Sequence, residues 1–213
     1  MFVPKRAESA LRGRLPTPRD PRFWRLRSRD EIEQLRQVLH GAESELSPEW
    51  AANALSRSRE GINVLREALA SGVPAVTRRA AVYGFVWVKR PTAEDIKRLL
   101  EIYEDPTESP DIRGQAAEAL GRRVDLRGKP GRAHQLDQLA REALLRGLDD
   151  QEPEVRFWSI YALARPENAW VLPKLESMLG DRALVPGWWM VGQEAGWAIR
   201  WIRREGDVDP RTL

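Results

Sequence analysis

From Asp30 onward, apolar residues recur at steps of three and four positions, without the sustained alternation that is typical of strands. The first such stripe consists of Ile32, Leu35, Val38 and Leu39. Proline, glycine, aspartate and serine separate one stripe from the next, as is usual between helices. The pattern therefore predicts about ten helices, of which the later nine cover residues 48–57, 60–70, 75–88, 93–104, 110–123, 134–148, 153–164, 169–179 and 187–204.

Alternate helices of this series resemble one another. Residues 110–120 and 153–163 both present a proline, a branched apolar residue, an arginine, a small residue, an alanine and a leucine in the same register, and residues 74–84 keep part of this order. The central small residue of each unit is Ala51, Ala80, Ala116, Ser159 or Ala195, at spacings of 29, 36, 43 and 36 residues. Self-similarity at this period is typical of a solenoid built from stacked repeats.

The repeated segment resembles the HEAT and HEAT-like repeat family, the type also found in phycobilisome lyases. In that family the second helix of each repeat starts with Pro-x-Val-Arg and packs through small residues. This sequence keeps those features at Pro110, Ile112, Arg113 and Ala116, and again at Pro153, Val155, Arg156 and Ser159. The resemblance covers roughly residues 28–204 and implies an all-α fold, a right-handed α-solenoid of about five two-helix repeats. An irregular helical bundle is the alternative.

Charge is unevenly distributed along the chain. Residues 1–29 hold nine basic and two acidic groups, whereas the remainder holds 26 basic and 30 acidic groups. Four prolines in the same segment oppose a regular helix. We expect residues 1–27 to form a basic, extended or partly disordered arm, residues 28–206 the repeat domain and residues 207–213 a C-terminal tail. The arm is interpreted as a solubilising tail, a contact for nucleic acid or an acidic partner, or a mitochondrial presequence.

Composition narrows the class of protein. Of 213 residues, 42% are hydrophobic and 31% are charged, which is typical of a soluble globular chain and excludes a bilayer-spanning segment of about 20 apolar residues. The chain has no cysteine, so disulfides, thiolate metal sites and cysteine nucleophiles are excluded. With no apolar run of signal-peptide length, we expect a cytoplasmic protein that does not contact membranes.

No catalytic or metal-binding constellation is recognisable. The two histidines, His40 and His134, lie in different repeats, and the sequence contains neither a phosphate-binding glycine motif nor a nucleophile elbow. We therefore predict no catalytic residue, no metal and no cofactor. Asp149, Asp150 and Glu152 precede Pro153 and are expected to cap a helix or to pair with a repeat arginine. Residues 123–133 are expected to form an inserted surface loop.

A binding face follows from the helical register. If the central small residues point inward, the positions one before, two after and six after each of them share another stripe. By the family resemblance, second helices line the concave side of the solenoid. The predicted partner-binding residues on this stripe are Trp50, Arg57, Arg79, Arg122, Trp158, Tyr161, Arg165, Trp197 and Trp201. Asn53, Val82, Val86, Gln115, Glu118 and Glu194 share it, and core packing of the stripe aromatics is the alternative. We expect Trp170, Trp188 and Trp189 to be core or end-cap residues.

Three classes of function are compatible with this sequence. The first is a non-enzymatic scaffold or adaptor that holds a partner protein or peptide on the concave face. The second is a nucleic-acid-binding protein similar to the HEAT-like alkylpurine DNA glycosylases. In those enzymes the catalytic aspartate follows a tryptophan pair, whereas Met190 follows Trp188-Trp189 here. The third, a lyase or cofactor-handling repeat protein, lacks the cysteine that bilin transfer usually needs.

Overall fold

The computed structural model describes residues 18–20, 23, 25, 28–70, 72–123, 132–206 and 209–212. Within them the chain forms ten α-helices and two 3-10 segments, so the fold is all-α. The helices are α1 (Arg29–Leu39), α2 (Pro48–Leu55), α3 (Arg59–Ala68), α4 (Ala75–Trp87), α5 (Ala93–Glu104), α6 (Pro110–Arg123), α7 (Arg132–Gly147), α8 (Pro153–Leu163), α9 (Leu172–Ser177) and α10 (Val191–Arg203). Most of the predicted arm, and most of the predicted loop at 123–133, lie outside the described residues.

The even-numbered helices form a continuous inner layer. Each one packs against the next, from α2 through α4, α6 and α8 to α10, while α1, α3, α5 and α7 cover them from the other side. The five central small residues are fully buried, as the repeat register predicts. Gly121 shows how close the helices come, because a Cβ there would overlap the backbone of Ala162 on α8. Small residues thus allow the second helices to stack along the whole repeat array.

Helix starts follow local sequence signals. Ser28 and Thr92 form capping boxes at α1 and α5, and Ser47 and Ser58 accept hydrogen bonds from the first turns of α2 and α3. Proline occupies the first turn of α8 at Pro153, where its missing N–H costs nothing. The predicted boundaries are therefore close to those observed for most helices.

The last repeat departs most from the predicted boundaries. Residues 166–171 form a 3-10 segment, and α9 then covers only Leu172–Ser177. The helix predicted from residue 187 begins at Val191, because Pro186 and Gly187 make a turn in which Gly187 has φ of +81°. The pair Trp188-Trp189 consequently lies in the loop before α10.

Partly buried ion pairs connect successive repeats. Each joins an arginine of one second helix to a carboxylate in the helix–helix loop of the next repeat. The pairs are Arg78–Glu108, Arg113–Asp150 and Arg156–Asp181, with N–O distances of 2.8, 2.5 and 2.9 Å. For Asp150 the structure confirms the predicted pairing with a repeat arginine, and Arg78 and Arg156 make the same kind of pair in their own repeats. These charges are part of the scaffold.

Within the described residues, no helix is long and apolar enough to cross a membrane.

Candidate functional site

A groove of about 980 Å³ runs along the inner layer. Its lining side chains come from α2, α4, α6, α8 and α10, together with residues 188–189 and 209–211. Within the described part of the chain, nine aromatic side chains line it: Trp50, Tyr83, Trp87, Phe157, Trp158, Tyr161, Trp188, Trp189 and Trp197. The second helices therefore present a concave, ring-lined surface, and the placement of Trp158, Tyr161 and Trp197 on one face agrees with the register argument.

The aromatic rings at the C-terminal half form a connected series. Trp188 meets Trp158 edge to face with ring centroids 5.2 Å apart, and Trp158 meets Tyr161 in the same way at 5.5 Å. Tyr161 then stacks on Trp197 at 6.0 Å, with an angle of 13° between the rings. Edge-to-face and offset-stacked pairs are the favoured geometries for aromatic rings, so these contacts stabilise the positions of the rings in the groove.

Two local features place these rings in the groove. Gly114 on α6 leaves room for Trp158, because a Cβ at this position would overlap the indole. The loop before α10 is fixed by a bridge between Leu184 and Met190, and it brings Trp188 and Trp189 against Phe157. The loop therefore extends the part of the groove lining that α8 contributes.

The two tryptophans of this loop were predicted to be core or end-cap residues, and that prediction was wrong for Trp188. Its side chain is 47% exposed and lines the groove, while Trp189 is partly buried and also lines it. The dipeptide Pro186-Gly187 was the available signal, since it marks a turn and not the first turn of a helix. Trp170 was also predicted as core or cap, but it is 43% exposed and lies near Arg141, away from the groove.

The groove is lined by more carboxylates than cations. Among the residues that the structure describes, six acidic side chains line it, namely Glu49, Asp111, Glu118, Glu154, Glu194 and Asp209. The two lining cations are already paired: Arg79 with Glu49 at 3.0 Å and Asp111 at 3.3 Å, and Arg211 with Asp209. The groove thus carries net negative charge beside its aromatic rings.

Glu194 is the most deeply buried of these carboxyl groups, with 1% of the residue exposed. Burial raises the pKa of Glu194 to about 8, and the Trp189 indole N–H, which donates to its Oε2 at 2.8 Å, opposes that rise. A buried carboxyl group loses hydration when it ionises, and a single neutral hydrogen bond replaces only part of it. Near neutral pH the Glu194 side chain is therefore protonated in the folded chain.

Glu154 and Glu118 are the other two groove carboxyl groups with raised pKa values. For Glu154, burial raises the pKa, and the negative charge of Asp111 adds to the effect. For Glu118, burial raises the pKa, whereas the hydrogen bond from Gln115 and the charge of Arg122 lower it. The groups that lower the pKa of Glu118 therefore lie on its own helix, whereas Glu154 is influenced by Asp111 on α6 and, in the opposite direction, by Arg79 on α4.

The predicted partner-binding residues divide into three groups. Trp50, Arg79, Trp158, Tyr161 and Trp197 line the groove. An adjoining hollow of about 550 Å³ contains Arg122, Arg165 and Trp201 and shares Tyr161 and Trp197 with the groove. Arg57 lies in the turn after α2, where it donates to Asn53 Oδ1 at 3.3 Å, and it lines neither of these two spaces, so its role in binding stays a prediction.

The stripe prediction also fails along α4. Val82 and Val86 are fully buried, and Asn53 on α2 is 2% exposed, whereas the groove-lining positions of α4 are Tyr83 and Trp87 beside Arg79. A helix advances 3.6 residues per turn, so positions three and four apart both neighbour a given residue, and sequence spacing does not decide which one faces the groove. Tyr83 and Trp87 were missed for this reason.

His40 is exposed at the end of α1, and the side chain of His134 lies outside the described residues. The part of the chain that the structure describes contains no group of three or more acidic, histidine or cysteine side chains that could hold a metal ion.

Comparisons with known proteins agree with the repeat fold. A family model described as HEAT repeats matches residues 96–185. The structure is similar to a chain in the complex of CpcE and CpcF of phycocyanin lyase from Nostoc sp. PCC7120, with a TM-score of 0.60 and 18% sequence identity. That similarity covers 80% of this chain and 99% of the other chain, and it concerns the fold alone. No curated protein matches the sequence.

Proposed function

We propose, since the chain is a HEAT-like repeat protein, that it is a non-enzymatic scaffold or adaptor that holds a segment of a partner protein in the groove. The observation that carries this proposal is the aromatic lining. Trp50 is 41% exposed and Trp188 is 47% exposed on one concave surface. Tryptophan and tyrosine are enriched at binding hot spots, where truncation costs about 2 kcal/mol or more.

The size and shape of the groove support a peptide-like occupant. Its lining spans five helices, from Glu49 on α2 to Trp197 on α10, so the groove extends along the stack of repeats as an extended segment requires. The similar chain from phycocyanin lyase was solved in a complex of two proteins, so this fold supports association with another protein. Fold alone does not determine function, and the proposal therefore depends on the groove.

Nucleic acid is a less suitable occupant of this groove. Its carboxylates outnumber its arginines, and both arginines already pair with acidic residues, whereas binding to phosphates requires cations that remain available. Contact with nucleic acid through residues 1–27 stays a prediction, because those residues lie almost entirely outside the described part of the chain. A cytoplasmic location likewise stays a prediction.

The test is to identify the partner by affinity purification from the native host and then to measure its Kd for purified variants. We expect Trp158→Ala combined with Trp197→Ala to weaken binding at least 100-fold, because two groove-lining rings of hot-spot type are removed. Trp170→Ala is the matched control, since this indole is 43% exposed but lies outside the groove.

A second groove variant separates binding from folding. Trp158 and Trp197 pack partly against the core, so the double variant is checked by circular dichroism and thermal melting. Trp188→Ala removes a more exposed ring and should weaken binding about tenfold with little change in melting. Unchanged affinity in both groove variants would refute the proposed function.

A further inference from the structure

The charge of the groove identifies the chemistry of its occupant. Aromatic faces attract cations through the negative potential above the ring, and arginine is the commonest such cation in proteins. A neutral or acidic segment that filled the groove would remove its carboxylates from water without replacing the lost hydration, which is unfavourable. A basic segment compensates for that loss and gains contact with the rings at the same time.

Glu154 is the groove carboxylate best suited to meet an incoming cation. It lies in the first turn of α8 and is half-buried, and the structure shows no direct hydrogen bond or ion pair from its carboxylate to a described residue, although the charge of Arg79 acts on it from a distance. The nearby Arg79 is shared between Glu49 and Asp111. Glu154 therefore has no direct ion pair of its own, whereas Glu49 and Asp111 both pair with Arg79.

Trp158 is the ring that accompanies this carboxylate. It follows Glu154 by four residues on α8, so the two side chains occupy adjacent turns of one helix face, and both line the groove. The Trp158 ring is braced by Trp188 at 5.2 Å and Tyr161 at 5.5 Å. A carboxylate and a braced indole one turn apart form a receptor for a long cationic side chain.

We propose that the groove binds a basic segment of the partner protein and that an arginine or lysine of this segment pairs with Glu154 while it lies against Trp158. This proposal rests on the proposed function and adds the chemistry of the partner. It also assigns different roles to the two residues. The Trp158 ring contributes to the affinity for any segment that fills the groove, whereas Glu154 selects for positive charge.

The test uses the full chain and two synthetic peptides of the same length that differ only in the charge of three side chains. One peptide is an alanine-based 12-mer with three arginines, and the other carries neutral citrulline at the same positions. Binding is followed by the intrinsic tryptophan fluorescence of the groove and by calorimetry. We expect the arginine peptide to bind about tenfold more tightly than the citrulline peptide, which corresponds to one charge-assisted hydrogen bond.

Two glutamate variants provide the decisive comparison. Glu154→Gln should reduce the affinity for the arginine peptide about tenfold and leave the citrulline peptide unchanged, so that most of the preference for arginine is lost. Glu101→Gln is the matched control, because Glu101 lies on α5 outside the groove and pairs with Arg98 at the surface. A full preference for arginine in the Glu154→Gln variant would overturn the assignment of Glu154.

The remaining outcomes are also decisive. Equal binding of both peptides to the unmodified chain would refute a basic occupant. An arginine peptide that binds only after the arginines of residues 1–27 are replaced by serine would assign the groove to the chain's own arm and overturn the partner assignment. If the identified partner is lost from the Trp158→Ala, Trp197→Ala variant but not from Glu154→Gln, the charge inference fails while the proposed function stands.

Discussion

Replacing Asp150 with alanine should lower the free energy of unfolding by about 3 kcal/mol, because it leaves the guanidinium of Arg113 buried without its counter-ion. Arg113 is 8% exposed, and it donates to Asp150 and to the backbone carbonyl of Tyr103. The pair joins α6 of one repeat to the loop of the next. Its loss should therefore destabilise the contact between repeats and not only one helix.

The neighbouring residue offers a matched control for this measurement. Asp149 has a side chain that is 71% exposed and pairs with Lys174 at the surface, so Asp149→Ala should change stability by about 0.5 kcal/mol or less. Asp150→Asn keeps an acceptor for the Glu152 N–H but loses the charge, and we expect an intermediate effect. Urea unfolding of the three variants measures all of these values. Similar decreases in the free energy of unfolding for Asp149→Ala and Asp150→Ala would contradict the stabilising role of the Arg113–Asp150 ion pair between repeats.

Replacing Glu194 with glutamine should remove a pH dependence of stability of several kcal/mol. The pKa of Glu194 is raised to about 8 in the folded chain, from an ordinary value near 4.5, so the folded state holds a proton that the unfolded state releases. The contribution of this group is therefore fully present below about pH 4.5 and is lost as pH rises through 8. Each tenfold change in proton affinity is worth about 1.4 kcal/mol, which sets the scale.

Glutamine is a suitable replacement because it is neutral at every pH and its amide oxygen can accept the hydrogen bond from Trp189. Urea unfolding at pH 5, 7 and 9 should show that the original chain loses stability relative to Glu194→Gln as pH increases. All other titrating groups are common to both proteins, so the difference isolates Glu194. Parallel stability curves would show that this carboxyl group is hydrated and ionises normally.

The repeat architecture could be predicted because its signals are local. The Pro-x-Val-Arg segments, the central small residues and the punctuation between helices each lie within one turn or one loop. The ion pairs between repeats follow from the same pattern, since Asp150 lies just before Pro153, within reach of an arginine of the preceding repeat. These features recur in successive repeats, and the recurrence distinguishes them from chance.

The detailed lining of the groove could not be predicted in the same way. Trp188 and Trp189 take their places because the loop before α10 folds back on Phe157, which depends on the tertiary path of about ten residues. The faces of Tyr83 and Trp87 depend on how α4 rotates between α2 and α6. Helical periodicity describes a face only to within one residue, and neighbouring helices determine the rest.

The repeat scaffold and the groove lining have different physical roles. The outer helices and the ion pairs between repeats fix the spacing of the repeats. The inner helices present aromatic rings and carboxylates on the groove surface. A rigid array supports recognition because little conformational entropy is lost when a partner segment binds. The scaffold residues should therefore affect stability, whereas the groove residues should affect affinity.

Hydroxyl-radical footprinting of the tryptophans, with and without the bound partner, tests the central claim most directly. Trp50, Trp188 and Trp170 are 41%, 47% and 43% exposed, so their intrinsic reactivities are comparable, but only the first two line the groove. We expect the partner to protect Trp50 and Trp188 while Trp170 stays reactive. Protection of Trp170 with undiminished oxidation of Trp188 would place the partner on another surface and contradict the account.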